Sequence, residues 1–368
     1  MSSEYDWVRQ DSGLNGDSGA LFELAKRLEE AGDLHSGATA YDRAFGLDES
    51  NAELCERRAR LLARLAVTDH GIRFAYVPAG TFLMGSEKGE PDERPVHPVE
   101  LGHYWLAETP ISWATYCQLA EWEAPPNGLP KGFDWKKVEK GDHVAFLPAA
   151  NKVRLQYCEN ETTRARDWHA HVPNMEWGRG DRIKTSREMF GEVPRENPEL
   201  PWGYELKPLI AISREGIEFL CEKISNSTVS YRLPTEAEWE KGARGGLINN
   251  RFPWGNEPPN AKNCDFNRFD NFAIQPTRRF SPNGYGLYAM SGCVWEGVSD
   301  WYDAGYYSES PRLSPTGPAE GIEKVLRGGA WSDCAEVQTV SYRLSRTPDR
   351  WCTPNTGFRL CRVEMKDS

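Results

Sequence analysis

YRLPTEAEWEKGARGG, residues 231–246, begins with an alternating run and turns at Pro234 into a helix whose two ends are both written in the sequence. Thr235 followed three residues later by Glu238 is a capping box, in which hydroxyl and carboxylate each satisfy an amide that the first helical turn leaves open. Gly245-Gly246 supplies the stop, since glycine accepts the left-handed conformation that ends helices. A short strand, a capped helix of about nine residues and a glycine pair therefore stand in succession, with the glutamates in structural roles first.

Outward from this stretch, six further phrases keep the same texture of short alternating runs cut by Gly, Pro and Asn. They are VPAGTFLMGS (77–86), DERPVHPVEL (92–101), FPWGNEPPNAKNC (252–264), NGYGLYAMSGCVWEGVSDWY (283–302), LRGGAWSDC (326–334) and TGFRLCR (356–362). The pattern predicts short strands and turns rather than βαβ units, hence an α+β class. Two helices are predicted to interrupt it, over 113–122 and over 213–224, where Ile217, Leu220, Cys221 and Ile224 share one face. Fourteen tryptophans, many beside Gly or Pro, suit a loop-rich fold in which large rings provide the burial.

Residues 1–70 read differently. Apolar positions between Leu21 and Leu65 recur at three- and four-residue steps, broken at 31–33 and 48–51, which predicts a helical hairpin and a third helix. The stretch resembles one tetratricopeptide-type repeat and the start of a second. Three repeats are normally needed to bury a continuous core, so this segment is expected to dock on the domain spanning 71–368 or on a protein partner. Residues 125–206, rich in Trp, Pro and charge, are too long for an ordinary connection and read as an insertion or lid. Within it, the alternating His169 and His171 with Cys158 form an incomplete ligand set, and the basic residues from Arg164 to Lys184 are balanced by acids, so both read as surface.

Composition narrows the function. A net charge of -11 without a run of five basic residues argues against a nucleic-acid partner. No run of about 18 apolar residues predicts a membrane span, and the polar, acidic first residues do not read as an export signal, so the cytoplasm is the expected compartment. Nine cysteines without a CxxC read as buried thiols rather than a disulfide framework.

The seven phrases together resemble the formylglycine-generating-enzyme, or sulfatase-modifying-factor, family, which has an elaborated C-type-lectin-like fold. The resemblance covers everything after the helical segment except 125–206. It implies an oxidase that uses copper bound by two cysteines to oxidise a substrate cysteine, the first a few residues after Arg-Gly-Gly and the second about five further on. Here Cys334 is displaced by one, and Val337, Gln338 and Thr339 stand where the second belongs. A Cu(I) site needs two neighbouring thiolates, so only an unorthodox pair of Cys334 with Cys352 would supply it. The related sulfoxide synthases use three histidines in a helical domain, whereas residues 1–70 hold only His35 and His70. The family's structural calcium implies Asn263, the Cys264 carbonyl and Asp265 or Asp270 at one site and Glu296 at another. The second loop departs from the family at Ala289, Cys293 and Gly297, the last standing for a usual Trp.

The segment 326–362 carries Ser, Asp, Cys, Val, Tyr, Leu, Arg and Thr where relatives are Asn-rich. Those are residues that asparagine codons become when their adenines are altered; Trp351 is the exception, matching a framework Arg. This resembles the variable region of proteins diversified by retroelements. It leads to the expectation of a non-catalytic module binding a protein or other macromolecule through Trp331, Ser332, Asp333, Cys334, Val337, Val340, Tyr342, Leu344, Arg346, Arg350, Cys352 and Thr353. The alternative is a copper-dependent oxidoreductase acting on protein cysteine, with Cys334 and Cys352 as its redox residues.

Overall fold

The computed structural model describes residues 16–119, 176–177, 184–185, 208–209, 212, 214–267, 275–348, 351 and 355–365. Most of the 125–206 insertion, with His169, His171 and Cys158, lies outside them, as do Asp270, Arg350, Cys352 and Thr353.

Three helices open the chain: α1 (Ser18–Glu30), α2 (Leu34–Leu47) and α3 (Ala52–Leu65). Each starts where a short polar side chain takes up orphaned amides: Asp17 accepts from Gly19 and Ala20, Asp33 from Ser36, and Asn51 from Leu54. Gly32, at φ 83°, turns the chain between the first two. Their buried faces, Phe22, Ala25, Tyr41, Ala44, Leu54 and Leu61 among them, belong to the same continuous core as the domain that follows.

The segment is therefore fastened to the main domain. Arg58, 3% exposed, holds Asp42 with Nε and Nη2 at 3.0 and 2.6 Å, and donates to the Gly284 and Gly245 carbonyls at 2.8 and 2.9 Å. Tyr285 donates its hydroxyl to the other Asp42 oxygen, and Trp105 its indole N–H to the Leu65 carbonyl, both at 2.8 Å. The boundary expected at residue 70 falls inside a hairpin, because β1 (Val67–Asp69) pairs antiparallel with β2 (Ile72–Val77).

Two sheets form the main domain. The first is antiparallel in the order β1-β2-β5-β13-β8, with β5 (Tyr104–Ala107), β8 (Val229–Arg232) and β13 (Cys361–Glu364), so the C-terminal strand closes between early and middle ones. The second runs β11-β10-β9-β12: β9 (Trp295–Trp301), β10 (Lys324–Arg327), β11 (Leu344–Arg346) and β12 (Thr356–Phe358), of which only the β9–β12 pairing is parallel. A separate hairpin joins β3 (Gly80–Met84) to β4 (His97–Leu101), and a two-residue pair joins β6 (Glu176–Trp177) to β7 (Lys184–Thr185). Helix α4 covers Trp113–Leu119 and α5 Arg214–Ile224. The expected residues 120–122 and 213 at their ends lie outside the described residues. This is the α+β, C-type-lectin-like architecture expected from the sequence.

Helix α6 (Glu236–Arg244) carries both ends read from the sequence: the reciprocal Thr235–Glu238 box is present, and Gly245 sits at φ 62°. Every residue of α6 is buried, charged ones included. Burial of charge is stable only when paired, and each α6 carboxylate has its arginine. Glu236 pairs with Arg343, Glu240 with Arg244 and Arg327, and Glu238 with Arg232. Glu236 and Glu240 thus fasten the helix to the C-terminal segment, and Glu238 ties it to β8.

Gly297 on β9 lies directly against the ring of Trp351, which is 0% exposed. A Cβ added at Gly297 would lie 2.3 Å from the Trp351 ring. The Trp that the family resemblance implies at 297 would therefore collide with Trp351.

Candidate active-site cleft

A cavity of about 690 Å³ opens between three stretches: the turn from Gly85 to Glu93, the loop from Asn249 to Asn256, and the chain from Glu336 to Tyr342. The third wall is fixed from beneath. Arg327, the arginine of Arg-Gly-Gly and fully buried, donates to the carbonyls of Val340, Ser341 and Tyr342 at 2.7, 2.6 and 2.9 Å. The Arg251 carbonyl, on the second wall, accepts the Val340 amide at 2.9 Å.

Between Arg327 and that wall the chain makes a tight loop. Asp333 accepts the Ala330 amide at 3.1 Å, and Gln338 donates to the carbonyls of Ala330 and Cys334 at 3.1 and 3.3 Å. Gly329, at φ 69°, makes room, since a Cβ there would lie 2.4 Å from the Gln338 amide oxygen. Cys334 is exposed at the tip, ahead of the short 3₁₀ turn Ala335–Val337, whose Glu336 and Val337 line the cleft. Partial burial and a hydrogen bond to Glu336 both push its thiol above the usual range, so it is protonated at neutral pH.

The floor and rim are polar. Glu93, 2% exposed, accepts the Glu90 amide at 2.9 Å, and burial raises it above the ordinary carboxylate range, with Ser341 opposing. Asn250 is 6% exposed; its amide nitrogen donates to the Phe252 carbonyl at 2.6 Å and its side-chain oxygen has no partner among the described residues. Lys88, Arg244 and Arg251 line the opening together with Glu90, Glu93 and Glu336.

The face expected from the sequence divides. Trp331 and Val340, 1% and 0% exposed, are core residues and display nothing to solvent. Trp331 is held by its amide to the Cys293 carbonyl, and Val340 packs inside the wall that Arg327 secures. Ser332, Asp333, Val337, Tyr342, Leu344 and Arg346 are half-buried, and only Val337 and Tyr342 of these line the cleft. Glu93, Asn250 and Arg251 were missed. Glu93 falls in a phrase read for its strand-and-turn texture, Asn250 and Arg251 fall between two phrases, and the one local signal was the Asn-Asn pair, whose Asn249 adopts φ 60°.

Glu296, 1% exposed, is the counter-ion of Arg359, which donates to its two oxygens at 2.8 and 2.9 Å, while Trp239 adds a third bond at 2.8 Å. A carboxylate already neutralised by a buried guanidinium is a poor calcium ligand, so Glu296 does not fit that role. Asn263 spends its side-chain oxygen on the Asn260 amide, and Asp265 is bridged through its backbone to Gly292. No group of three or more His, Cys, Asp or Glu is placed to hold a metal among the described residues. For Cu(I) the described residues offer one exposed thiol, Cys334; Cys264 and Cys293 are buried, their thiols pushed far up by burial. A two-thiolate centre does not fit the described residues.

No helix among the described residues is long and apolar enough to cross a membrane. A model of the sulfatase-modifying factor enzyme 1-like domain matches residues 66–364. The formylglycine-generating enzyme of Streptomyces coelicolor is 42% identical over 314 residues, spanning 77% of this chain and 87% of that protein. The Bos taurus enzyme of the same name is 38% identical over 309 residues, spanning 77% and 72%. The solved structure of PvdO from Pseudomonas aeruginosa superposes with a TM-score of 0.52 at 18% identity, covering 82% of this chain and 98% of that one, a likeness of fold alone. These relatives overturn the expectation of a non-catalytic module with a diversified surface, because the chains it matches along most of its length are named for an enzymatic activity. From its matched residues and its fold, the chain belongs to the sulfatase-modifying factor enzyme 1-like family.

Proposed function

We propose that this chain is an enzyme acting on a cysteine carried by a peptide, as the formylglycine-generating branch of its family does. The cleft seats the peptide and Cys334 meets the substrate thiol. The observation that carries the reading is the 42% identity to a formylglycine-generating enzyme, within a family match from 66 to 364 that contains every residue of the cleft.

Each wall has a task in this reading. Arg327 fixes the backbone from Val340 to Tyr342, so a peptide laid against it meets a rigid edge. The acidic and basic rims orient it, and Asn250 offers an acceptor at the floor. Glu336 accepts the hydrogen bond of the Cys334 thiol and keeps the proton on sulfur until a substrate displaces it.

The test is an aerobic incubation of the reduced protein with a pool of short cysteine peptides, with and without added copper. Peptide thiol is followed with a thiol reagent and aldehyde by hydrazide labelling. Loss of thiol with appearance of aldehyde, abolished in Cys334→Ser, is the expected result. Unaltered peptides under both conditions would refute the reading, and full activity in Cys334→Ser would move the chemistry off that thiol.

A further inference from the structure

On another part of the molecule, sharing no residue with the cleft, a cavity of about 220 Å³ opens beside β2 and the start of α4. Arg73 and Arg278 converge on it, with the hydroxyl-bearing Thr109, Ser112, Thr115 and Thr277 around the wall. The two arginines are brought together by one carboxylate. Glu108, its side chain 11% exposed, accepts from Arg73 Nε at 2.6 Å on one oxygen and from Arg278 Nη2 at 2.7 Å on the other. Arg278 also lies over the Tyr288 ring, 5.0 Å from its centroid, and the Glu108 backbone is fixed by the Tyr288 amide at 2.7 Å.

An exposed Arg–Glu pair alone contributes little to stability, and this arrangement has more cation than it needs. Two guanidiniums against one carboxylate leave one positive charge, in a chain whose net charge is -11. The remaining N–H groups of both side chains, which are 45% and 53% exposed, have no hydrogen-bond partner among the described residues. A guanidinium held by one edge presents the rest of its donors in a fixed plane, which suits planar recognition of oxyanions. Hydroxyl donors complete the wall: Ser112 Oγ and Thr115 Oγ1 lie 2.9 Å apart, and Thr277 is 7% exposed. The volume exceeds several times the roughly 30 Å³ of a water molecule. Donors on more than two sides match the oxygens of a tetrahedral anion better than the two of a carboxylate.

We infer that this pocket is a binding site for a tetrahedral oxyanion of the phosphate class, gripped by Arg73 and Arg278, with Glu108 acting as the residue that positions both. The ligand is either free phosphate or a phosphorylated side chain.

Calorimetry on the whole chain tests this with inorganic phosphate and with a phosphoserine peptide, sodium chloride at equal ionic strength serving as control. Arg73→Gln and Arg278→Gln are compared, their thermal unfolding confirming that they fold. Saturable binding that weakens about tenfold or more in each variant is expected, since a charge-assisted contact of this kind is worth at least one such factor. A peptide that binds more tightly than phosphate assigns the site to a phosphorylated residue; equal affinities assign it to the free ion. No saturable heat with either probe, or affinities unchanged in both variants, would overturn the inference. Peptide-thiol chemistry at the cleft is unaffected by either variant, so this result stands apart from that test.

Discussion

Replacing Arg359 by Met strikes the buried pair that replaced an expected metal ligand. Arg359 is fully buried and makes four bonds: two to Glu296, and one each to the Ala107 and Tyr288 carbonyls at 2.6 and 2.8 Å. Arg359→Met keeps the apolar stem and removes all four, leaving Glu296 buried with the Trp239 indole as its remaining donor. Breaking a buried pair from one side costs about 3–5 kcal/mol, most of it the penalty of the stranded charge. Removing that charge as well, in Arg359→Met/Glu296→Gln, keeps an acceptor for Trp239 and is expected to recover about half the loss. Urea unfolding of both variants at pH 7 reads these differences as midpoint shifts at constant slope. A single-variant loss below about 1 kcal/mol, or a double variant no more stable than the single, would refute the account of Glu296 as a neutralised structural group.

Thr235→Ala removes one half of the capping box and is expected to lower stability by about 1 kcal/mol in the same assay. Asp300 is pushed up to about 7 by burial and by the neighbouring Glu236. A raised carboxylate favours the folded state below its unfolded value and loses that contribution as pH rises through about 7, so stability should fall from pH 5 to pH 8, with the fall reduced in Asp300→Asn. Arg58→Met severs two bonds from the helical segment to the main domain, at Gly284 and Gly245, and two within the segment to Asp42, and proteolysis between α3 and β1 should become faster while the rest of the chain stays resistant.

The opening phrase specified α6 in full because capping chemistry is local: Thr235, Glu238 and Gly245 act within one turn of their own positions. The helical breaks at Gly32 and Asn51 were legible for the same reason. The sheet order was not, since β13 inserts between β5 and β8 through contacts more than a hundred residues apart. Charge on a buried helix was also hidden: the α6 glutamates have solvent-facing composition, and the partners of Glu236 and Glu240 include Arg343 and Arg327, which arrive from far along the chain. At the site, Cys334 could be singled out because its neighbours fall in one continuous segment, whereas Glu93 and Asn250 come from two other loops. Trp331 and Val340 sat in a stretch of mixed polarity, and without their partners a core residue there reads like a displayed one.

The packing of Gly297 against Trp351 has a consequence for engineering. One indole's worth of space is filled from the opposite side of the same gap, so the two positions behave as a single two-letter word in which either letter alone is misspelt. Putting Trp at 297 overfills the gap, and taking Trp away at 351 leaves a hole the size of a ring. A segment 326–362 that lacks Trp351, grafted into this chain, therefore leaves a hole beside Gly297 unless a ring is placed at 297 with it.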